Sequence, residues 1–194
     1  GDGIADTPAL IAAMSGGGRT VVVPPGEWLV STFAVPSNTV LQLSSGTVLR
    51  DTGQLQLGVA LINVRSPTVN VRILGTGASV LANRAHYTTG EHRHGLIVFG
   101  ARNVEVVGLE SNSHGGDGFY VGGNARDVKI TGCRANNNRR QGLSITGAAN
   151  LYVQGCTFAF TDGTAPRLGV DVEPNGNVDL LQNIRLDSVT TRSN

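Results

Sequence analysis

Apolar and polar residues alternate in short runs along most of the chain, and in the second half these runs recur at a nearly constant interval. Rows begin at Gly95, Gly118, Gly142 and Gly169, so that successive starts lie 23, 24 and 27 residues apart. Each row contains an alternating run, a turn at Asn or Asp, and a second alternating run. Alternation predicts β-strands, and an interval in the twenties predicts coils that stack to bury a shared core. The pattern favours a β-solenoid.

Stacked coils place equivalent positions of the rows in columns. One position of the second run is predicted to point inward in every row, in the column Leu109, Cys133, Cys156 and Ile184. The turn position forms another column, Asn103, Asp127, Asn150 and Asn177. Buried cysteine behaves as a small hydrophobic residue, so the two cysteines are predicted to be core residues and not a disulfide or redox pair. Asn and Asp suit turns because their side chains bond local backbone and they tolerate left-handed geometry.

The first residues differ in kind from the rows. Asp6-Thr7-Pro8 predicts the N-cap and first turn of a short helix over 6–15, which the glycines at 16–18 end. An open solenoid end exposes its core, so we expect this helix to cap the coils that run over 20–194. Residues 81–94 interrupt the regular interval of the rows and are predicted to be an inserted loop. The interpretation is a single domain over 1–194.

The N-terminal segment resembles the opening of pectate-lyase-superfamily proteins, on the residues GDGIADTPAL at 1–10 and GGRTVVVPPGEW at 17–28. The resemblance implies an all-β fold, a right-handed single-stranded parallel β-helix with a short N-terminal capping α-helix. It extends to bacteriophage tailspike depolymerases and secreted bacterial polysaccharide-degrading enzymes. It therefore implies a polysaccharide partner, an extracellular, secreted or virion-tail location, and a homotrimer if the protein is tailspike-like. Both ends of the sequence resemble truncation points, so we expect this chain to be a piece of a longer protein.

Composition and charge exclude several other classes. The chain of 194 residues has 27 glycines, 15% charged residues and a net charge of +1, which disfavours a helical bundle, a coiled coil and charge-driven disorder. So balanced a charge does not suggest a nucleic-acid partner, and no apolar run approaches the roughly 20 residues that span a bilayer. Every cationic residue except Lys129 is arginine. This reflects either a surface that grips anionic groups or an arginine-favouring genome.

Alternation also assigns the outward positions of the first run in each row. They form two columns: Ile97, Tyr120, Ser144 and Asp171, then Phe99, Gly122, Thr146 and Glu173. This strip resembles a sugar-binding surface with aromatic residues at one end and carboxylates at the other. The β-carbons of Asp171 and Glu173 should lie roughly 6 to 7 Å apart. We predict that they are the catalytic acid and base or nucleophile of an endo-glycosidase, the alternative being solvated carboxylates neutralised by neighbouring arginines.

Residues beside the strip are the candidates for substrate binding: Arg139, Arg140, Arg167, Asp117, Tyr120, Ser144 and His114. Two other functions stay open, a polysaccharide lyase or uronate C5-epimerase and a non-catalytic carbohydrate-binding or structural β-helix. In the superfamily's lyases and epimerases a basic residue removes the C5 proton while cations neutralise the uronate. The resemblance makes Arg140, Arg167, His114 and Tyr120 the candidates for these roles. Asp117-Gly118-Phe119 resembles part of an alginate-epimerase motif, but the Pro-His that should follow is absent.

No cofactor is predicted. The sequence has no aspartate cluster like that of calcium-dependent pectate lyases, so Ca²⁺ is not expected. Glu91-His92-Arg93-His94 places two histidines on one side of an extended segment, but further metal ligands at suitable spacing are missing. We interpret this segment as a polar loop edging the groove, from which His92 or His94 could contact substrate.

Overall fold

The computed structural model describes residues 5–194. The Gly1-Asp2-Gly3 part of the N-terminal motif lies outside the described residues. One α-helix, α1 (Thr7–Met14), precedes the strands. In chain order the strands are β1 (Thr20–Val23), β2 (Gly26–Val30), β3 (Phe33–Ala34), β4 (Val40–Leu43), β5 (Thr47–Asp51), β6 (Val59–Arg65), β7 (Val69–Leu74), β8 (Ser79–Leu81), β9 (Arg93–Phe99), β10 (Arg102–Val107), β11 (Glu110–Asn112), β12 (Phe119–Gly122), β13 (Ala125–Thr131), β14 (Arg134–Asn136), β15 (Gln141–Ile145), β16 (Ala148–Gln154), β17 (Thr157–Ala159), β18 (Leu168–Val172), β19 (Leu181–Asp187) and β20 (Thr190–Arg192).

Successive strands go to three different sheets, and every third strand returns to the same sheet. The first sheet has the order β1-β4-β7-β10-β13-β16-β19, the second β2-β5-β8-β11-β14-β17-β20, and the third β3-β6-β9-β12-β15-β18. Neighbouring strands pair in parallel in each sheet, for example β10 with β13 and β12 with β15. Each turn of the chain therefore adds one strand to each of three walls. This confirms the predicted parallel β-helix.

The walls enclose a continuous column of apolar side chains. Leu109, Cys133 and Cys156 are buried in it as predicted, and both cysteines are free. Ile184 packs against the core, but its predicted place in the column is wrong, because it pairs with Leu151 in the first sheet. Because Thr157 pairs with Thr190, the residue beneath Cys156 is Val189, which packs against the core.

Asparagines form a ladder at the turn that leads into the first sheet. The Nδ2 group of Asn70 donates to Asn38, that of Asn103 to Asn70 and that of Asn150 to Asp127, each at 2.8 Å. The backbone at these turns is left-handed, the geometry that Asn and Asp tolerate best. The ladder continues to Asn183, which donates to Asn150 at 3.0 Å, so the prediction of Asn177 is wrong. Residues 173–180 form an extra loop before β19, which moves Asn177 out of register.

Glycine begins the coils of the third sheet because this sheet starts close to the second one. A β-carbon at Gly118 would lie 2.5 Å from Cβ of Ala135, and one at Gly142 would lie 2.5 Å from Cβ of Phe158. Any side chain at these positions would collide with the core. The regular spacing of these glycines in the sequence therefore reflects the close approach of the second and third sheets.

The N-terminal helix covers the first coil. Leu10 and Met14 of α1 are buried and belong to the main core cluster, as an end cap requires. Asp6 precedes the helix, but its side chain makes no capping hydrogen bond. Its carboxylate instead accepts from the backbone nitrogen of Leu29 at 2.8 Å. The predicted capping role of this side chain is therefore wrong, because it ties the helix to β2.

The inserted loop occupies residues 82–92, between β8 and β9, and is slightly shorter than predicted. Tyr87 anchors it, because the buried phenol donates to the carboxylate of Asp51 and accepts from the backbone nitrogen of Leu55 at 3.1 Å. The loop packs on the coil below at Gly116, where a β-carbon would lie 2.4 Å from the carbonyl oxygen of Glu91. The insertion is thus held against the corner where the third sheet begins.

Candidate active site

The outward columns of the third sheet have the predicted register. Tyr120 pairs with Ile97 and with Ser144, and Ser144 pairs with Asp171. The strip is nevertheless not open to solvent along its length, since Ile97, Tyr120 and Ser144 are 4%, 9% and 1% exposed. Among the outward residues Phe99 is 39% exposed, Asp171 is half-buried, and the Glu173 side chain is 58% exposed.

A further column of polar residues lies immediately before the coil-start glycines. Asp117 occupies this position in its coil, His94 in the coil before and Gln141 in the coil after, and Gln141 pairs with Leu168. His94, Asp117 and Gln141 are all buried. The repeat contained this signal, because three consecutive rows have a polar residue at one position. Sequence reasoning singled out Asp117 and His94 separately and missed Gln141.

Asp117 lies at the centre of this column and is completely buried. Its Oδ2 accepts from the hydroxyl of Ser144 at 2.8 Å. Nδ1 of His94 lies 3.2 Å from the same oxygen and 3.1 Å from the backbone nitrogen of Asp117. A ring protonated at Nδ1 can donate to the carboxylate, whereas a ring without that proton can accept from the backbone N–H. His94 therefore has a partner in either protonation state, which suits a residue that transfers protons.

Arg140 joins the carboxylates of this region. Its guanidinium lies 3.3 Å from Oε2 of Glu91, 3.7 Å from Oδ2 of Asp117 and 3.8 Å from Oε2 of Glu173. These residues come from the inserted loop, from the start of the third sheet and from the last coil. One arginine thus draws together three parts of the chain that are distant in sequence.

Gln141 positions the remaining carboxylate. Its amide Nε2 donates to Oδ2 of Asp171, while its Oε1 accepts from Arg140. The Ser144 hydroxyl is within hydrogen-bonding distance of Gln141 Oε1 and of Asp117, and its single proton can be donated to one of them at a time. The amide is buried and uses both ends, so it has little freedom to move. We call Glu91, Asp117, Asp171 and Glu173, gathered around Arg140 and Gln141, the carboxylate cluster.

An aromatic groove adjoins the carboxylate cluster through His94. The ring of His94 lies 4.8 Å from that of Tyr120 in a tilted stack, and the Tyr120 hydroxyl accepts from Thr146 at 2.9 Å. The groove has a volume of about 340 Å³ and is lined by Gly58, Arg65, His92, His94, Ile97, Phe99, Tyr120 and Asn175. Burial, together with the electrostatic effect of the neighbouring His94 and Arg140, lowers the pKa of His92. Ring faces beside polar groups are suited to binding the apolar face of a sugar.

The loop over 173–180 forms the far side of the groove. Asn124, in the turn after β12, donates to the carbonyl of Val178 at 3.0 Å and accepts from the nitrogen of Leu180 at 2.7 Å. These bonds hold the loop across the third sheet and bring Asn175 to the groove. The groove therefore lies between two insertions, residues 82–92 and 173–180.

Three of the predicted substrate-binding residues lie elsewhere. His114 is completely buried in the interior, where desolvation lowers its pKa to about 3, so its prediction as a substrate contact or base is wrong. Arg139 is bonded to the backbone of the inserted loop, and Arg167 pairs with Asp162 at 3.4 Å. Arg140, Asp117, Ser144, Asp171 and Glu173 are brought together, and Tyr120 joins them through His94.

Within residues 5–194, no three His, Cys, Asp or Glu side chains are grouped so that they could hold a metal ion. In the same range no helix has the length and apolarity needed to cross a bilayer.

Comparison with known families identifies the fold. The family described as right-handed beta helix region matches residues 31–184. The chain belongs to this right-handed β-helix family. The solved structure of tailspike protein gp49 from Acinetobacter baumannii bacteriophage Fri1, a capsular polysaccharide depolymerase, superimposes on this β-helix with a TM-score of 0.76 at 15% identity. That match covers 94% of this chain and 36% of the tailspike.

Two curated proteins also resemble this β-helix in sequence. The uncharacterized protein YclG of Bacillus subtilis is 23% identical over 206 residues, which cover 88% of this chain and 35% of YclG. Mannuronan C5-epimerase AlgE4 of Azotobacter vinelandii is 26% identical over 141 residues, covering 68% of this chain and 23% of the epimerase. The β-helix thus spans about a third and a quarter of the lengths of these two relatives.

Proposed function

We propose that this β-helix is an endo-acting glycoside hydrolase that cleaves a polysaccharide on the outer face of the third sheet. The observation that carries the proposal is the carboxylate cluster beside an aromatic groove, with both features spread over stacked coils. A glycan lying across the coils would meet ring faces and then acidic oxygens. The fold shared with a phage capsular polysaccharide depolymerase supports a polysaccharide substrate.

Charge favours glycosidic cleavage over the other chemistries. The cluster contains four carboxylates and one guanidinium, which contacts three of them while Gln141 holds the fourth, Asp171, so acidic oxygens are in excess. Hydrolysis of a glycoside passes through a transition state with positive, oxocarbenium-like charge, which carboxylates stabilise. A uronate substrate, by contrast, would bring a further negative charge into the same place.

Asp171 and Glu173, the two predicted catalytic residues, would have different roles. Asp171 accepts a hydrogen bond from the amide of Gln141, which suits an ionised carboxylate that activates water or attacks the sugar. Glu173 is more exposed and lies 3.8 Å from Arg140. Its longer side chain can approach the glycosidic oxygen and donate a proton. Asp117 lies beneath the site, within hydrogen-bonding distance of Ser144 and beside His94. Its carboxylate would add to the negative charge that stabilises the transition state.

A second candidate is a uronate lyase or C5-epimerase. It is favoured by the contact of His94 with Asp117 and Tyr120, which resembles a positioned general base, and by the 26% identity to a mannuronan C5-epimerase. Here His94 or Tyr120 would remove the C5 proton, and Arg140 would face the uronate. Arg140 already contacts three carboxylates, which weakens this candidate.

Product analysis tests the proposal and separates the candidates. The protein is incubated with a panel of capsular and acidic polysaccharides, and products are followed by reducing ends, ultraviolet absorbance and NMR. Hydrolysis predicts new reducing ends with no absorbing double bond. An absorbing product would show a lyase, and altered sugar signals without chain scission would show an epimerase. Binding without any product would overturn the enzymatic proposal in favour of a carbohydrate-binding β-helix.

We further propose that the protein acts outside the producing cell, as a secreted enzyme or as part of a virion tail. The similarity of the fold to a phage tailspike supports this location. If the likeness extends to assembly, sedimentation of the purified protein will show a homotrimer, and a monomeric species at all concentrations would contradict it.

A further inference from the structure

A second group of charged residues lies beside the carboxylate cluster. Arg139 and Arg140 are consecutive but contact different partners. Arg140 faces Glu91 and the carboxylate cluster, whereas Arg139 donates to the backbone oxygens of Thr88 and Gly90, with 2.7 Å to Thr88. The two neighbouring guanidinium groups therefore belong to two adjoining sites.

Arg139 is one of three arginines that lie beside the segment containing Asp162. Nη1 of Arg84 donates to the backbone oxygen of Asp162 at 2.5 Å, and Nη1 of Arg167 lies 3.4 Å from Oδ1 of the same residue. A cavity of about 310 Å³ is lined by Arg84, Arg139 and Asp162, together with Ala85, Thr88 and Gly163. We call Arg84, Arg139, Arg167 and Asp162 the arginine corner.

The arginine corner has an excess of positive charge. It contains three guanidinium groups and one carboxylate, which Arg167 contacts, whereas the contacts of Arg84 and Arg139 are with neutral backbone oxygens. Some other arginines face carboxylates directly, such as Arg50 with Glu27 at 2.7 Å and Arg72 with Glu105 at 2.6 Å. The charge of the arginine corner is therefore available to an external anion.

Resting on the proposed function, we infer that the arginine corner binds an anionic group, a carboxylate or a sulfate, carried by a sugar of the polysaccharide. The planar guanidinium fork matches the geometry of such groups. Arg84 and Arg139 are half-buried and already fixed by backbone contacts, so binding costs them little conformational freedom. The substrate class is thus an acidic polysaccharide, whose charged sugar lies at the arginine corner while the bond to be cleaved lies at the carboxylate cluster.

This arrangement fixes the register of the glycan. The carboxylate cluster repels an acidic substituent and the arginine corner attracts it, so an anionic sugar is directed to one side of the cleavage point. A neutral polysaccharide has no such preference. The adjoining sites therefore select both the charge of the glycan and its position.

Binding of three polymers tests the inference. Polygalacturonate carries carboxylates, dextran sulfate carries sulfates and dextran is neutral, and affinities are measured by titration calorimetry at low salt. We expect one or both anionic polymers to bind more tightly than dextran, the stronger of the two identifying the group. Arg84→Gln and Arg167→Gln should each weaken that binding about three- to fivefold. Arg126→Gln, which changes an exposed arginine of β13, should leave it unchanged.

A variant that is expected to raise the affinity, instead of lowering it, excludes a merely structural role. Asp162→Asn removes the carboxylate that neutralises the corner, so affinity for the anionic polymer should rise about threefold. An unchanged or lower affinity in this folded variant, or equal binding of all three polymers, overturns the inference. Glu173→Gln separates it from the proposed function. If that variant binds normally and the wild type yields no product, hydrolysis is contradicted while the arginine corner stands.

Discussion

Gln141 illustrates how a single buried side chain organises the site. Its amide connects Ser144, Arg140 and Asp171, yet nothing in its own type marks it as functional. Alternation along the strands predicted Asp171 and Glu173 on one face, and the register confirms that Asp171 continues the column of Ser144. Their contacts could not be predicted, because they depend on side chains from three distant segments.

His114 is a residue whose burial has a measurable consequence for pH dependence. Its pKa is about 3 in the folded protein because desolvation disfavours the charged ring, against about 6.5 in the unfolded chain. Between these values the unfolded state binds a proton and the folded state does not. The free energy of unfolding should therefore fall as pH is lowered from about 6.5 towards 3, by up to about 5 kcal/mol.

Urea unfolding at several pH values tests this prediction. His114→Leu should flatten the pH dependence in that window even if the variant is less stable at every pH. His86→Gln, which changes an exposed histidine of the inserted loop, should keep the wild-type slope. A slope unaffected by His114→Leu would show that this ring does not govern the acid sensitivity.

At the scale of elements, the repeat predicted the coils well but not the segments that depart from it. The capping helix predicted over 6–15 occupies Thr7–Met14, and the inserted loop occupies 82–92. The sequence does not predict the loop over 173–180, because its Asn-Gly-Asn-Val segment resembles the regular turn. For this reason the positions predicted for Asn177 and Ile184 are wrong. Both loops border the groove, so the irregular elements are the ones that shape the site.

Tyr87 should determine whether the inserted loop stays in place. Its hydroxyl is the hydrogen-bond donor to the buried carboxylate of Asp51, whose pKa is raised by burial. Tyr87→Phe leaves that carboxylate without its donor, and we expect a loss of about 1–3 kcal/mol in the free energy of unfolding. Limited proteolysis within 82–92 should become faster at the same time.

A matched variant separates this effect from the loss of any phenol hydroxyl. Tyr152 also donates to a carboxylate, that of Asp187 at 2.9 Å, but both of these residues are only half-buried. Tyr152→Phe should change the unfolding free energy by no more than about 0.5 kcal/mol. Equal losses in the two variants would mean that Tyr87 does not anchor the loop.

At the scale of the whole molecule, the fold was predictable because one pattern is repeated in every coil. Stacking and the three walls follow from strand alternation, the glycine interval and the N-terminal resemblance. The site was predictable only in part, since outward direction does not imply exposure. Ser144 and Tyr120 point outward from the sheet and are nevertheless buried, under side chains and loops that the repeat does not encode.

Negative and positive side chains are concentrated at two adjoining sites, the carboxylate cluster and the arginine corner. Carboxylates are concentrated at the start and end of the third sheet around Arg140, while arginines collect at the arginine corner around Asp162. The net charge of +1 conceals this separation. Arg139 and Arg167, predicted to sit with the catalytic carboxylates, belong to the second place, which gives them a separate function in the proposed recognition of an acidic glycan.

Release of reducing ends by carboxylate variants tests the central claim most directly. Wild type, Asp171→Asn, Glu173→Gln and the surface control Glu110→Gln are compared on the polysaccharide that the wild type cleaves, with folding verified by circular dichroism. Glu110 is a suitable control because it is a partly exposed carboxylate in the second sheet that also faces an arginine. We predict that Asp171→Asn and Glu173→Gln each lower the rate at least about a hundredfold, while Glu110→Gln keeps it. Wild-type rates in both folded site variants would contradict the assignment of these carboxylates to catalysis.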